Sequence, residues 1–294
     1  MEQTMLEEEL EGAEGLLLQG EAELARDRLA RLADDAEEYV DRNCQTTEEQ
    51  QFFSFPSAFE YLAYVRVEQD PRTLYDVGEP LGRLYADLAR ADVALDDREG
   101  AMASLRQAVR WNPMDCASRL NLAELYRAEG DVNEFLALSY SVFERASEPA
   151  HLVRAYLNFS RWLSAQGKAR ASAAALRAAR SLDADDAALA EEVERARADG
   201  RDPDALSDQE ATDALSEEGL PFGASAEIAV CLLECGLDAA RAGEAREATT
   251  FVVRARDLVG EPAAMTLLEA LREADADAGA DAGADAGRGA HGDA

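Results

Sequence analysis

The sequence predicts an all-α protein built from antiparallel helix pairs, on the evidence of composition and periodicity. Hydrophobic residues make up 47% of the 294 residues, which is enough to bury a core in one extended array or two modest domains. Ala, Leu, Glu and Arg dominate the composition, and these side chains lose little conformational freedom in a helix. The eight prolines mostly fall where helices are expected to begin or end.

The charge balance argues against two classes of partner. The net charge of −32 arises from 61 acidic and 29 basic residues. Nucleic-acid binding needs clustered Lys and Arg that neutralise phosphates, so we expect no nucleic-acid partner. An anionic membrane surface would repel the chain in the same way, so we expect no membrane partner.

The N-terminal segment and the cysteines indicate a cytoplasmic protein. The first residues, MEQTMLEEE, are acidic and lack the basic flank and apolar centre of a secretion signal. No apolar run approaches the roughly 20 residues that a membrane span requires. Four cysteines in a chain of this length do not make a disulfide framework.

Small and large apolar residues recur at spacings typical of paired helices. In the first copy, Tyr85, Leu88 and Ala89 lie on one predicted helix, and a second helix leads to Pro113. The small residue lets the two helices approach closely, and the large residues fill the space one turn away. This spacing predicts an antiparallel pair of packed helices.

Three further copies follow the first. In the second copy the turn between the helices is Gly130-Asp131, because glycine adopts the left-handed conformation without steric cost. A third copy covers about 153–186, and a fourth begins near Glu227. Repetition at a period near 34 residues predicts a repeat architecture.

The pattern resembles that of the tetratricopeptide repeat (TPR) family, with degenerate repeats. The resemblance covers about 82–186 and 227–262. It implies an α-solenoid, in which antiparallel helix pairs stack in a right-handed superhelix. Asp92 departs from the family pattern, because a large apolar residue usually stands there, and Phe135 replaces the usual alanine.

The repeats and the segments between them divide the chain into six regions. The predicted organisation is an N-terminal helix pair serving as a cap or divergent repeat (1–42), an insertion or divergent helical segment (43–80), three repeats (81–196), an acidic linker with a short helix (197–224), a fourth repeat with a capping helix (225–274), and a disordered acidic tail (275–294). The tail has no large apolar residue that could offset its chain entropy.

Residues that could carry catalysis are sparse. The histidines are His151 and His291, and no glycine-rich phosphate loop is present. Cys231 and Cys235 lie four apart on one predicted helix and could bind a soft metal with ligands from elsewhere. Packing is the favoured interpretation, because Cys235 stands at a core position of the fourth repeat. We therefore predict no enzyme activity, no cofactor and no metal.

The TPR resemblance also implies a binding surface, because in that family the first helices of successive repeats line a concave groove that holds a peptide or helix. Asp87 and Glu124 map to this face together with the candidate groove residues Arg83, Arg90, Asn121, Arg127, Arg154, Asn158 and Arg161. In one branch of the family, basic and asparagine residues on this face clamp the terminal carboxylate of a partner peptide. Arg90, Asn121 and Arg154 stand at or near matching positions, whereas Ala86 and Asn158 depart from that pattern.

The predicted function is a scaffold that binds a protein or peptide partner, with an acidic segment held by arginine contacts. In the competing interpretation these arginines pair with Glu and Asp of neighbouring repeats. A regulatory subunit or small-ligand sensor, with two helical lobes joined by 197–224, is the alternative function, and an enzyme is less favoured. Self-association through the ends of the array is a further hypothesis.

Overall fold

A computed structural model describes residues 4–182 and 184–273, and the predicted tail 275–294 lies outside the described residues. The helices are α1 (Met5–Leu18), α2 (Ala22–Asn43), α3 (Ala58–Glu68), α4 (Leu81–Ala94), α5 (Arg98–Trp111), α6 (Cys116–Glu129), α7 (Val132–Ser141), α8 (Pro149–Ala165), α9 (Ala169–Arg180), α10 (Ala187–Ala198), α11 (Asp208–Ser216), α12 (Ala226–Ala242), α13 (Ala245–Val259) and α14 (261–273). The strands are β1 (Gln50–Phe53) and β2 (Thr73–Asp76). The predicted all-α fold class is confirmed, since the described residues are mostly helical and the strands are short.

The two strands form a small parallel sheet that the sequence did not indicate. Gln50 pairs with Thr73 and Phe53 with Asp76. A parallel pair needs a crossover connection, and α3 supplies it, so segment 43–80 is a β–α–β unit. Each strand has only four residues, which is too short for an alternating pattern to stand out.

Consecutive helices pack as pairs where the repeats were predicted. The pairs are α4 with α5, α6 with α7, α8 with α9, and α12 with α13. At the turn of the second pair, Gly130 ends α6 with φ of 81°, a left-handed conformation that favours glycine. The side chain of Asp131 then accepts a hydrogen bond from the backbone N–H of Glu134 and caps α7.

Asp92 is buried and paired although a large apolar residue was expected at its position. Its side chain is 3% exposed, and one carboxylate oxygen lies 2.7 Å from Nε of Arg26 on α2. Ser104 on α5 donates a hydrogen bond to the other oxygen at 3.3 Å. This departure from the family pattern therefore attaches α2 to the first repeat.

The β–α–β unit packs against the distant α12–α13 pair. Helix α3 contacts α12, and Arg66 lies 3.1 Å from a carboxylate oxygen of Glu234. The ring of Phe59 is buried with its centroid 6.3 Å from that of Phe251 on α13. The insertion therefore joins the N-terminal half of the chain to its C-terminal helix pair.

Segment 197–224, which was predicted as an acidic linker, is part of the core. Helix α11 packs on α9, and Leu215 and Leu220 are buried in the main hydrophobic cluster. Most acidic residues of the segment are exposed, whereas Leu215 and Leu220 are buried. The segment therefore does not connect two separate lobes.

A buried tyrosine of α8 forms hydrogen bonds with the end of this segment. The hydroxyl of Tyr156 accepts a hydrogen bond from the backbone N–H of Gly223 at 2.8 Å and lies 3.1 Å from the carbonyl oxygen of Pro221. Its side chain is fully buried. Burial raises the pKa of this hydroxyl above its ordinary value, so it stays protonated.

Tyr156→Phe is expected to lower the free energy of unfolding by about 1–2 kcal/mol, because it removes one hydroxyl and leaves the backbone groups of the 221–223 turn unpaired. Urea unfolding monitored by circular dichroism measures the change. Tyr140→Phe is the matched control, since Tyr140 is exposed, and it should change the stability by less than about 0.5 kcal/mol. Equal effects of the two variants would contradict the assigned role of Tyr156.

Candidate peptide-binding site

An apolar cleft of about 440 Å³ lies between α4 and α6, the first helices of two successive pairs. Most of its wall is aliphatic, and polar groups stand at its rim. Its lining residues are Ala86, Ala89, Arg90, Val93, Leu105, Asn121, Glu124 and Leu125. The volume lies within the range of clefts that hold small ligands or peptide side chains.

Helical spacing explains why these residues share one surface. On α4, Ala86, Arg90 and Val93 stand at positions i, i+4 and i+7, which lie on one face of a helix. On α6, Asn121 and Leu125 are four apart and share a face in the same way. The small alanines of α4 keep the floor of the cleft open.

Asn121 connects the cleft to a basic side chain on α8. The Oδ1 atom of Asn121 accepts a hydrogen bond from the guanidinium of Arg154 at 3.0 Å. Within 4–182 and 184–273, no carboxylate lies at ion-pair distance from Arg154, and burial lowers the pKa of its guanidinium. Arg154 is therefore a half-buried cation held by a neutral amide.

The other predicted groove arginines are already paired with carboxylates. Arg83 pairs with Glu14 and Arg161 with Glu192, each on another helix, whereas Arg90 pairs with Asp87 and Arg127 with Glu124 on their own helices. The N–O distances are 2.8, 2.9, 3.0 and 2.7 Å in the same order. Arg83 and Arg161 therefore make contacts of the kind that the competing interpretation expects, with acids outside their own helix pair, whereas Arg90 and Arg127 do not.

Asn158 lies inside the protein and does not line the cleft. It is 5% exposed, and its Nδ2 group donates a hydrogen bond to Oγ of Ser139 on α7 at 3.0 Å. The prediction that Asn158 faces the groove is therefore wrong, because its amide pairs with a buried hydroxyl between α7 and α8. Of the residues mapped to the groove face, Arg90, Asn121 and Glu124 line the cleft itself.

Sequence reasoning did not foresee the burial of Asp87 beside the cleft. Its Oδ1 atom lies 3.0 Å from Arg90, and its Oδ2 atom is buried without a hydrogen-bond partner. Burial, with a smaller contribution from the carboxylate of Glu14, raises the pKa of Asp87 to about 6. The side chain of Arg90 is therefore committed to a buried acid and is less available to a ligand.

The cysteines and His151 do not form a reactive site. Burial raises the pKa of the Cys116 and Cys231 thiols to about 12 and that of Cys235 to about 11, so these thiols stay neutral and weakly nucleophilic at pH 7. Burial lowers the pKa of His151. No cluster of His, Cys, Asp and Glu within the described ranges has the geometry to hold a metal ion.

Comparison with known protein families finds no family model that matches the chain, and a search of curated proteins returns no match. None of the helices in the described part of the chain is both long and apolar enough to cross a bilayer. Function is therefore inferred from the cleft and its charges.

Proposed function

We propose that this chain is a protein-interaction scaffold that binds a carboxylate-bearing peptide in the cleft between α4 and α6. The observation that carries the proposal is the pair formed by Asn121 and Arg154, in which a half-buried cation has no carboxylate partner among the described residues. The stacking of the helix pairs α4–α5, α6–α7 and α8–α9 along the chain supports a right-handed, TPR-like superhelix. In that architecture the cleft lies on the concave side.

Electrostatics favours an acidic group at Arg154. The carboxylates of Glu124 and Asp186 act on the Arg154 guanidinium only from beyond ion-pair distance, and its desolvation is the larger effect. A ligand carboxylate that accepts two parallel N–H bonds would compensate that desolvation. The Oδ1 atom of Asn121 is already occupied by Arg154, which leaves its Nδ2 group to donate to the same ligand. The two side chains together would hold one carboxylate in a defined orientation.

The apolar wall of the cleft suggests which residue neighbours that carboxylate. Val93, Leu105 and Leu125 present aliphatic surface next to Asn121. An aliphatic side chain of the peptide would bury its surface there, at about 25 cal/mol per Å² of apolar area. The proposed ligand is therefore a peptide with an aliphatic residue next to an acidic side chain or a terminal carboxylate.

Affinity capture from a lysate of the native host, followed by mass spectrometry, can identify partners of the wild-type chain. Partners that use the cleft should be depleted at least about tenfold by Arg154→Glu, because the reversed charge repels their carboxylate. Arg170→Glu is the matched control, since Arg170 is exposed on α9 and makes the same change in net charge. Equal capture by Arg154→Glu and by the wild type would contradict the proposal.

A captured peptide then tests the role of the carboxylate directly. Fluorescence anisotropy compares the peptide with a version in which its acidic groups are amides. Neutralisation should weaken binding to the wild type by about tenfold and leave binding to Arg154→Ala nearly unchanged. Loss of affinity by the same factor in both proteins would place the carboxylate elsewhere.

A further inference from the structure

A second cleft lies at the N-terminal end of the array, between α1, α2 and the segment that leads from β2 into α4. Its volume is about 360 Å³, and most of its wall is apolar. Among the lining side chains, Met5 is 82% exposed and Tyr39 is 49% exposed. The charged residues that line it are Glu9, Asp35 and Glu79, and all of them are acidic.

The cleft exists because α2 is longer than α1. Helix α2 has 22 residues and α1 has 14, so α2 extends past its partner by about 12 Å at a rise of 1.5 Å per residue. The helices are antiparallel, since Arg28 of α2 lies over Gly12 of α1, whereas Leu6 and Tyr39 meet at the cleft. About the last eight residues of α2 therefore extend beyond the end of α1.

The apolar stripe of α2 is buried in the first part of the helix and lines the open cleft further along it. Ala25, Leu29 and Ala33 are buried in the N-terminal hydrophobic cluster. Ala36 and Tyr39 continue the stripe at helical spacing, but they line the open cleft. An amphipathic helix that lays its apolar face into such a groove would complete the packing of α2.

Charge decides which helix can bind there. Glu9 is balanced by Arg28 at 2.5 Å. Within the part of the chain that the structure describes, Asp35 has no ion pair or side-chain hydrogen bond, and the carboxylate of Glu79 accepts a single hydrogen bond, from the hydroxyl of Thr4. A second copy of this chain would bring the same acidic rim, and like charges placed opposite each other repel. The Asp-rich segment 275–294 would be repelled in the same way.

We propose that this N-terminal cleft binds a basic amphipathic helix of a partner protein. Its aliphatic or aromatic side chains pack on the open stripe of Ala36 and Tyr39. Its Lys or Arg side chains lie beside Asp35 and Glu79, where opposite charge favours association and fixes the orientation. This site is separate from the cleft between α4 and α6 and has the opposite charge preference.

The test uses the full chain and two fluorescent amphipathic peptides of about five helical turns, one built from Leu and Lys and the other from Leu and Glu. The Leu/Lys peptide is expected to bind, and the Leu/Glu peptide is not. Ala36→Arg should weaken binding of the Leu/Lys peptide at least about tenfold, because it fills the cleft and neutralises part of its acidic charge. Tyr39→Ser, at an exposed position that does not support the core, should weaken it several-fold.

Ala190→Arg is the matched control, since Ala190 is exposed on α10 and the variant makes the same change in net charge. It should leave binding unchanged. Equal weakening by Ala36→Arg and Ala190→Arg would overturn the proposal, because binding would then follow net charge alone. A wild-type dimer in sedimentation velocity that becomes monomeric in Ala36→Arg would also overturn it, by assigning the cleft to a second copy.

Discussion

Arg26→Met is expected to lower the free energy of unfolding by about 1–3 kcal/mol, the usual cost of leaving a buried polar group without its partner. The variant leaves the carboxylate of Asp92, which is 3% exposed, with only a 3.3 Å hydrogen bond from Ser104. The side chain of Arg26 is itself 44% exposed. The expected cost therefore comes from the buried carboxylate of Asp92, which loses its ion-pair partner. Urea unfolding at pH 7 measures it.

The double variant Arg26→Met with Asp92→Leu separates this effect from the loss of packing. It replaces the ion pair with apolar side chains and places a large apolar residue where the repeat pattern expects one, so most of the stability should return. Arg31→Met, at an exposed position of the same helix, should change the stability by less than about 0.5 kcal/mol. A small effect of Arg26→Met, equal to that of Arg31→Met, would show that the ion pair of Asp92 does not stabilise the fold.

Asp87→Asn is expected to stabilise the protein by about 2–3 kcal/mol at pH 8. Asp87 has a pKa of about 6 in the folded chain, against an ordinary value of 3.8, and each unit corresponds to about 1.4 kcal/mol. Because the folded-state pKa is raised, the ionised side chain destabilises the fold above pH 6, and this penalty fades as the pH falls towards 4. The advantage of Asp87→Asn should shrink over the same interval.

Unfolding curves for the wild type and Asp87→Asn between pH 4 and pH 8 test this expectation. Arg90 loses its partner in the variant, but its side chain is 52% exposed, so water replaces that contact at little cost. Asp238→Asn is the matched control, at an exposed acid on α12. A difference from the wild type that stays constant with pH would show that Asp87 does not titrate near pH 6.

The helices could be predicted from the sequence because their signals are local. Gly130 stands at a predicted turn and ends its helix in the left-handed conformation. The predicted N-terminal pair (1–42) contains α1 and α2, and the predicted helical segment (43–80) contains α3. These elements depend on spacing and capping within about ten residues of chain, which a sequence displays directly.

The pairing of charges and the packing of the insertion could not be predicted in this way. Arg83 meets Glu14, 69 residues earlier in the chain, and Arg161 meets Glu192 on a helix outside its own pair. Which acid faces which arginine depends on how the helix pairs rotate against one another. The TPR resemblance predicted one groove face for Arg90, Asn121 and Asn158. Arg90 and Asn121 line the cleft, whereas Asn158 is buried between α7 and α8.

The packing of α3 on the α12–α13 pair affects the order in which the helix pairs should unfold. In an open chain of repeats, each unit touches only its neighbours, so units at the ends can fray one at a time. Here Arg66 and Glu227 are in contact although 161 residues separate them in the chain. Unfolding of the α12–α13 pair would also expose Phe59, which packs against Phe251 of α13. Loss of either end should therefore propagate to the other, which makes unfolding more cooperative and truncation from the C-terminus poorly tolerated.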